Sequence, residues 1–155
     1  MRTLGVLVAH QTADPGAFFH KQAAKHALGD ICRLADKKHQ INVDIISQSF
    51  GEHVTRDIAF TVKMNDLRKT IETLESCKEE LGIQEIYHNE NLSKVSIIGV
   101  GIANKPGVAA DMFEALYENN INMHMISTSE IKISVLVDYN DSDLAVRAIH
   151  RKFFN

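Results

Sequence analysis

Several residue types that mark particular protein classes are scarce in this chain of 155 residues, which has no tryptophan, two prolines and two cysteines. Cys32 and Cys77 are too far apart in sequence to form a paired metal-binding knuckle, and two cysteines do not make a disulfide framework. No apolar run approaches the roughly 20 residues that span a bilayer, and the first residues lack a secretory pattern. We therefore expect a soluble, cytoplasmic protein without a membrane partner.

An excess of charge of one sign is also lacking. Lysine and arginine number 17 against 20 aspartates and glutamates, which gives a formal net charge of −3. Proteins that bind nucleic acid need a clustered positive surface to neutralise phosphates. We therefore expect no nucleic-acid partner.

Signatures of catalysis and of cofactor binding are absent from the sequence. None of the common nucleotide-binding, nucleophile-elbow or zinc-protease patterns occurs. The nearest candidate, residues 99–107, places its third glycine six positions after the second, which is the wrong spacing for a pyrophosphate. The eight histidines include no pair at the i, i+4 spacing of helical zinc sites. We therefore expect no catalytic residue, no metal site and no cofactor, and we favour binding over catalysis.

The hydrophobic pattern predicts an α+β chain. Runs rich in β-branched residues predict strands over residues 3–9, 42–49, 55–62, 84–88, 94–100, 122–128 and 131–137. Apolar residues at helical spacing predict helices over 17–39, from an Asn65 cap to Gly82, after Pro106, and after an Asn140 cap.

The two halves of the chain repeat one another. Residues 41–49 (INVDIISQS) match residues 121–129 (INMHMISTS), and Pro15-Gly16 matches Pro106-Gly107. The interval from proline to isoleucine is 26 residues in the first half (41 − 15) and 15 in the second (121 − 106). We attribute the 11 additional residues to a longer first helix.

Each half then reads β-α-β-β-α-β, an antiparallel sheet with helices on one face. Two such units need eight strands, and the pattern supplies seven. Assigning residues 3–9 to the second unit as its edge strand makes the halves interleaved. The first unit then spans 10–90 and lacks an opening strand, and the second combines 1–9 with 91–155.

The repeated Pro-Gly pair predicts a ligand site at a strand-to-helix turn, because the first N–H groups of a helix suit a carboxylate. In the first half these donors are Gly16, Ala17 and Phe18. Asp14 and Asp44 can face an ammonium group, and Gln48 and Ser49 add neutral hydrogen-bonding groups, so the set suits a zwitterion. The alternative is that Pro-Gly only starts a helix and Asp14 only caps it.

The second half is less suited to a zwitterion. His124 stands at the position of Asp44, and Lys105 at that of Asp14. Both potential partners of an ammonium group are therefore missing, so we expect the first half to bind the ligand.

Several segments resemble the C-terminal regulatory region of aspartate kinase. The second half does so through residues 93–101 (SKVSIIGVG), 105–110 (KPGVAA) and 126–135 (ISTSEIKISV), and the first half through 42–48 and 57–62. The resemblance is collinear from about residue 40 to the end. The first 40 residues depart from it, because the family has two strands before its first Pro-Gly turn and only one is predicted here.

The resemblance implies two interleaved ACT domains, each a ferredoxin-like β-α-β-β-α-β fold, that pair side by side and bind an end-product amino acid. In aspartate kinases this effector is lysine, threonine or both, and it inhibits phosphorylation of aspartate by ATP. By position, the resemblance places the effector contacts on nine residues: Asp14, Gly16, Ala17, Phe18, Asp44, Gln48, Ser49, Ile121 and Asn122.

The resemblance also implies a homodimer formed through the ACT domains and a kinase catalytic chain as a further partner. The kinase portion is absent, so the chain alone should not phosphorylate aspartate. It is either a separate regulatory subunit or an excised fragment. The alternative function is a ligand-free dimerisation module. An RNA-binding sheet is disfavoured, since Phe60 is the single aromatic residue on a central strand and the net charge is negative.

Overall fold

The computed structural model describes residues 7–10, 17–23, 40–50, 56–81 and 83–154. The strands are β1 (Leu7–His10), β2 (Ala17–Ala23), β3 (Val43–Phe50), β4 (Arg56–Val62), β5 (Ile83–Tyr87), β6 (Leu92–Ile98), β7 (Met125–Thr128) and β8 (Lys132–Asp138). The α-helices are α1 (Met64–Ser76), α2 (Lys78–Leu81), α3 (Val108–Glu118) and α4 (Ser142–Phe154). None of these helices is long and apolar enough to cross a membrane.

The chain divides into two compact units. The inner unit is Asp14–Glu90, and the outer unit combines Met1–Ala13 with Asn91–Asn155. Each unit contains one four-stranded sheet, in the order β3-β4-β2-β5 for the inner unit and β1-β6-β8-β7 for the outer unit. All described strand pairs are antiparallel.

The outer sheet is completed by the N-terminal strand. β1 pairs with β6 from Leu7 opposite Ile98 to His10 opposite Val95. On one face of the sheet, alternate residues of β6 and β8 pack against α3 and α4, as the period of two along a strand requires. The resulting core is fully buried and consists mainly of Val95, Ile97, Val108, Met112, Leu116, Ile133, Val135, Val137, Ala145 and Ile149.

The inner sheet corrects one prediction. Residues 17–23 were expected to begin a helix over 17–39, but they form β2, which pairs with β4 on one side and β5 on the other. Residues 24–39 lie outside the described part. Helix propensity is a weak preference, and here the ladder bonds to two neighbours outweigh it over the segment AFFHKQA. β2 is the opening strand that the sequence pattern did not reveal.

The inner core lies between β4 and α1. Ile58, Phe60 and Val62 alternate along β4 and pack with Leu67 and Leu74 of α1. This cluster is separate from the outer core. Each unit therefore has its own hydrophobic core, which is what an independent folding unit requires.

Two predicted helix caps are wrong. Asn65 lies inside α1, whose N-cap is Lys63 and has no side-chain capping bond. Asn140 lies in a 3₁₀ turn (Tyr139–Asp141) that precedes α4. Both asparagines stand near their helix starts, but each start is displaced from the predicted cap by two residues or fewer, within the usual variation of helix boundaries.

Candidate functional site

The structure contradicts part of the argument by which the effector site was predicted. Asp14 and Gly16 lie outside the described residues. Ala17 and Phe18 begin β2, so their backbone belongs to a strand and not to the start of a helix. The helix-start rationale is therefore wrong for these two residues, and their role as effector contacts stays a prediction.

The two Pro-Gly pairs occupy different places in their units. Pro106 lies between β6 and α3 of the outer unit. Pro15 instead precedes β2, the first strand of the inner unit. Counting the 15-residue interval between Pro106 and Ile121 back from Ile41 reaches residue 26, beyond the end of β2 at Ala23. The added residues of the first half therefore accommodate a strand, and attributing them to a longer helix was wrong.

The repeat itself has a clear structural counterpart. Gln40 and Asn120 are the described non-glycine residues with positive φ, at 51° and 54°. Each immediately precedes an isoleucine, Ile41 or Ile121, that is buried in the core of its own unit. The side chain of Ile121 is thus a core residue, while Asn122 beside it is exposed.

An extra residue interrupts the inner edge strand at Asp44. Val43 pairs with Val62 and Ile46 pairs with Phe60, so three steps along β3 correspond to two steps along β4. Val62 and Phe60 both face α1, and residues three apart in a regular strand cannot share a face. The strand therefore contains a β-bulge, in which Asp44 and Ile45 together lie opposite Thr61.

The bulge separates the environments of its two residues. Ile45 is buried, and its backbone N–H donates a hydrogen bond of 3.1 Å to the Thr61 hydroxyl. Asp44 is exposed. Gln48 and Ser49 lie further along the same strand, so β3 carries three of the predicted effector contacts. A carboxylate presented at an irregularity of an edge strand is accessible to a cationic ligand group.

The outer unit has the same irregularity with different chemistry. Met125 pairs with Leu136, and the N–H of the preceding His124 also bonds to the Leu136 carbonyl, at 2.8 Å. The His124 ring lies 3.0 Å from the Asp138 carboxylate. The position that carries an exposed carboxylate in the inner unit thus carries an imidazole paired with a carboxylate in the outer unit.

The turn between β6 and α3 is the described strand-to-helix turn that carries a Pro-Gly pair. Gly101 and Gly107 both have φ of 94°, a conformation that favours glycine. Gly107 is the N-cap of α3, and Asn104, Lys105 and Pro106 before it are exposed. The first N–H groups of α3 have no carbonyl partner within the helix, as at any helix start.

The remaining electrostatic features lie elsewhere on the surface. The carboxylate of Glu85 accepts a hydrogen bond from the Tyr87 hydroxyl and raises the pKa of that tyrosine. Glu114 of α3 accepts a hydrogen bond from Lys152 of α4 and raises the lysine pKa. Within the described ranges, no three histidine, cysteine, aspartate or glutamate side chains are grouped so as to hold a metal ion.

Sequence reasoning missed Thr61. Along β4, Ile58, Phe60 and Val62 alternate with Ala59 and Thr61, so the pattern shows that Thr61 belongs to the other face of the sheet. It gives no sign that a hydroxyl would meet a backbone N–H, because that contact depends on the extra residue in β3.

Comparison with known proteins places these features in a family. Residues 95–153 match the ACT domain model. The regulatory subunit of aspartate kinase from Thermus thermophilus, in its ligand-free form, superposes with a TM-score of 0.83 at 31% identity, covering 99% of this chain and 100% of that one. The chain belongs to the regulatory region of the aspartate kinase family.

Two further relatives agree with this assignment. A structure described as aspartokinase alpha and beta subunits superposes with a TM-score of 0.79 at 33% identity, over 96% of this chain and 97% of that one. The aspartokinase 2 of Bacillus subtilis is 46% identical over 116 residues, 75% of this chain. The regulatory region spans 28% of the length of that aspartokinase.

Proposed function

We propose that this regulatory region binds an amino acid, lysine or threonine, and transmits its presence to an aspartate kinase catalytic chain as feedback inhibition. Membership of the aspartate kinase family supports the regulatory role. The observation that carries the ligand proposal is the exposed carboxylate of Asp44 at the bulge of β3. An ammonium group can make a charge-assisted hydrogen bond to such a carboxylate.

The inner unit is the proposed binding unit. Asp44, Gln48 and Ser49 lie on β3, and Asp14, Gly16, Ala17 and Phe18 are the contacts proposed for the segment before and at the start of β2. The resemblance to aspartate kinases also gives Ile121 and Asn122 of the outer unit as contacts, and the side chain of Ile121 is buried in the core of that unit. The outer unit has His124 in place of Asp44, and an imidazole does not supply the negative charge that pairs with an ammonium group.

The binding free energy that the proposed regulation requires is small. A feedback ligand that binds at 0.1–1 mM needs about −4 to −5.5 kcal/mol. To shift a partner between two states, the ligand must also favour one of them by about 1–3 kcal/mol. One charge-assisted contact and a few neutral hydrogen bonds are sufficient for both.

Calorimetric titration of the full chain with lysine, threonine and methionine tests the proposal. We expect lysine or threonine to bind and methionine not to bind. Asp44→Ala should weaken that binding by ten-fold or more, since hydrogen bonds to charged groups contribute about 1.5–3 kcal/mol. His124→Ala is the matched control and should leave the affinity within about two-fold. Absence of binding by either amino acid, or unchanged binding in Asp44→Ala, would contradict the proposal.

A catalytic partner is a separate part of the proposal. The chain alone should not phosphorylate aspartate, and it should co-elute with an aspartate kinase catalytic chain on size exclusion. The effector should then lower the ATP-dependent phosphorylation of aspartate by that complex. Failure to co-elute would refute the partner but not the ligand.

Dimerisation without a ligand is a second candidate function, and the outer edge strand favours it. The Ser129 N–H donates a hydrogen bond to the Lys132 carbonyl, and hydrogen-bonded pairs alternate with non-bonded pairs along an antiparallel ladder. The odd-numbered residues of β7 are therefore the ones hydrogen-bonded to β8. The N–H and carbonyl groups of Ile126 and Thr128 therefore face away from β8, and the Ile126 side chain is 47% exposed. A second copy of the chain can pair with this edge. A dimer whose unfolding temperature does not respond to lysine or threonine would support this function over sensing.

A further inference from the structure

The bulge that presents Asp44 depends on one side chain. An extra residue in a strand leaves a backbone group without its ladder partner, and a buried N–H without a partner is costly. At the inner bulge the N–H of Ile45, a residue 6% exposed, bonds to a side chain. Its acceptor is the hydroxyl of Thr61, a residue 7% exposed, at 3.1 Å.

The outer unit has no such side-chain bond at the equivalent position. Leu136 occupies the position that Thr61 occupies in the inner unit, since both lie opposite the bulge and one residue before a valine of the core. Leu136 has no hydroxyl, and the bond that it accepts through its backbone carbonyl comes from the N–H of His124, the counterpart of Asp44. The hydroxyl anchor is therefore a feature of the unit that carries Asp44, and the outer repeat does not share it.

The anchored N–H belongs to the residue directly after Asp44. Fixing Ile45 fixes the peptide group that joins the two residues, because that group is planar. The direction in which the Asp44 side chain leaves the strand is then set by the hydrogen bond that the Ile45 N–H donates to a buried side chain. A ligand that pairs with Asp44 gains from this, since less conformational freedom is lost on binding.

We propose that Thr61 is a positioning residue of the effector site: its hydroxyl holds the β3 bulge in the form that presents Asp44 to the ammonium group of an amino acid. Thr61 does not touch the ligand. The inference rests on the function proposed above, and it adds a residue that acts on affinity through the backbone.

The test compares three substitutions in the full chain. Thr61→Val replaces the hydroxyl by a methyl group of similar size, and Thr61→Ser keeps the hydroxyl. Thr73→Val is the matched control, because Thr73 is 6% exposed in the same unit and its hydroxyl bonds to the Lys69 carbonyl at 2.8 Å, away from the bulge. Lysine and threonine affinities are measured by calorimetry, and unfolding temperatures by calorimetric scanning.

We expect Thr61→Val to weaken amino-acid binding by about ten-fold, which corresponds to about 1.4 kcal/mol. Thr61→Ser and Thr73→Val should stay within about two-fold of the unsubstituted protein. A merely structural role would lower the unfolding temperature in Thr61→Val and Thr73→Val while leaving both affinities unchanged, and this result would overturn the inference.

Amide hydrogen exchange of the ligand-free protein provides the second readout. The Ile45 amide should exchange faster in Thr61→Val and at the normal rate in Thr61→Ser. An unchanged exchange rate of the Ile45 amide in Thr61→Val would show that the Thr61 hydroxyl does not hold this N–H, and it would overturn the inference. If the unsubstituted protein binds neither amino acid, the proposed function fails and the positioning role fails with it. If it binds and Thr61→Val binds equally well, the positioning role alone fails.

Discussion

The inner and outer units share a strand order, a bulge on the edge strand and a left-handed residue before a buried isoleucine, yet they differ in the chemistry at the bulge. The inner unit presents Asp44 and satisfies the bulge with the Thr61 hydroxyl. The outer unit pairs His124 with Asp138, and Leu136, which stands at the position of Thr61, has no hydroxyl. The fold constrains the backbone at this position, and the side chains remain free to differ.

A second difference concerns the position of the Pro-Gly pair in each unit. The outer unit has a Pro-Gly turn between β6 and α3, with Gly107 in the left-handed conformation. The Pro-Gly pair of the inner half precedes its first strand. Similar sequence motifs therefore occupy different structural places in the two units, and a ligand role inferred for one does not transfer to the other.

The largest effect should come from deleting core side chains. Leu116 in the outer core is 0% exposed and Leu74 in the inner core is 4% exposed. Leu116→Ala and Leu74→Ala should each lower the free energy of unfolding by about 2–5 kcal/mol, the usual range for a buried leucine. Hydrogen exchange read by mass spectrometry should show faster exchange first in the substituted unit, because the cores are separate. Equal loss of protection in both units would contradict this separation.

The next effect concerns the chemistry of the two bulges. Transferring the inner carboxylate to the outer unit in His124→Asp should place two carboxylates together, since Asp138 lies 3.0 Å from the His124 ring. The shorter aspartate side chain lies farther from Asp138 than the ring does, but two neighbouring carboxylates still repel, so we expect a lower unfolding temperature at neutral pH that recovers as the pH falls and a carboxylate is protonated. His124→Asn is the control and should show no such recovery. Equal pH dependence of the two variants would contradict the pairing of position 124 with Asp138.

A smaller effect should follow from the left-handed turn of the outer unit. Gly107 has φ of 94°, and a Cβ at this position would meet nothing within 4 Å, so Gly107→Ala introduces backbone strain without a clash. We expect a loss of about 1–2 kcal/mol in the free energy of unfolding. Ala110→Gly, on the exposed face of the same helix, should cost less, about 0.5–1 kcal/mol. Equal losses would show that position 107 tolerates a side chain.

Much of the fold was predictable because its signals are local. The strands at 43–50, 56–62, 92–98 and 132–138 agree closely with the predicted runs, since alternation and β-branched residues mark a half-buried strand directly. The helix after Pro106 follows from its apolar spacing. These elements belong to the part of the chain where sequence and pairing favour the same structure.

The features that the sequence did not predict depend on contacts between residues far apart in the chain. β2 contains two phenylalanines but is followed by residues with good helix propensity, and only its pairing with β4 and β5 decides its conformation. The bulge at Asp44 and the role of Thr61 arise from the register between two strands, which a single sequence does not encode locally. Asp44 itself was predicted from its residue type and position, whereas its anchor required the structure.

The smallest effect should come from the surface pair that joins the outer helices. The side chains of Lys152 of α4 and Glu114 of α3 are 31% and 54% exposed, and the carboxylate raises the pKa of Lys152. A raised lysine pKa stabilises the folded state fully below the ordinary lysine pKa, and the contribution is lost as the pH rises through the folded-state value. Lys152→Met should therefore lower the unfolding temperature slightly at neutral pH, with the difference disappearing at strongly alkaline pH. Arg68, which pairs with Glu72 on α1, gives the inner-unit control: Arg68→Met should show an equally slight decrease, because exposed ion pairs contribute little. A decrease for Lys152→Met as large as that for Gly107→Ala would show that the link between α3 and α4 matters more to the outer unit than its exposure suggests.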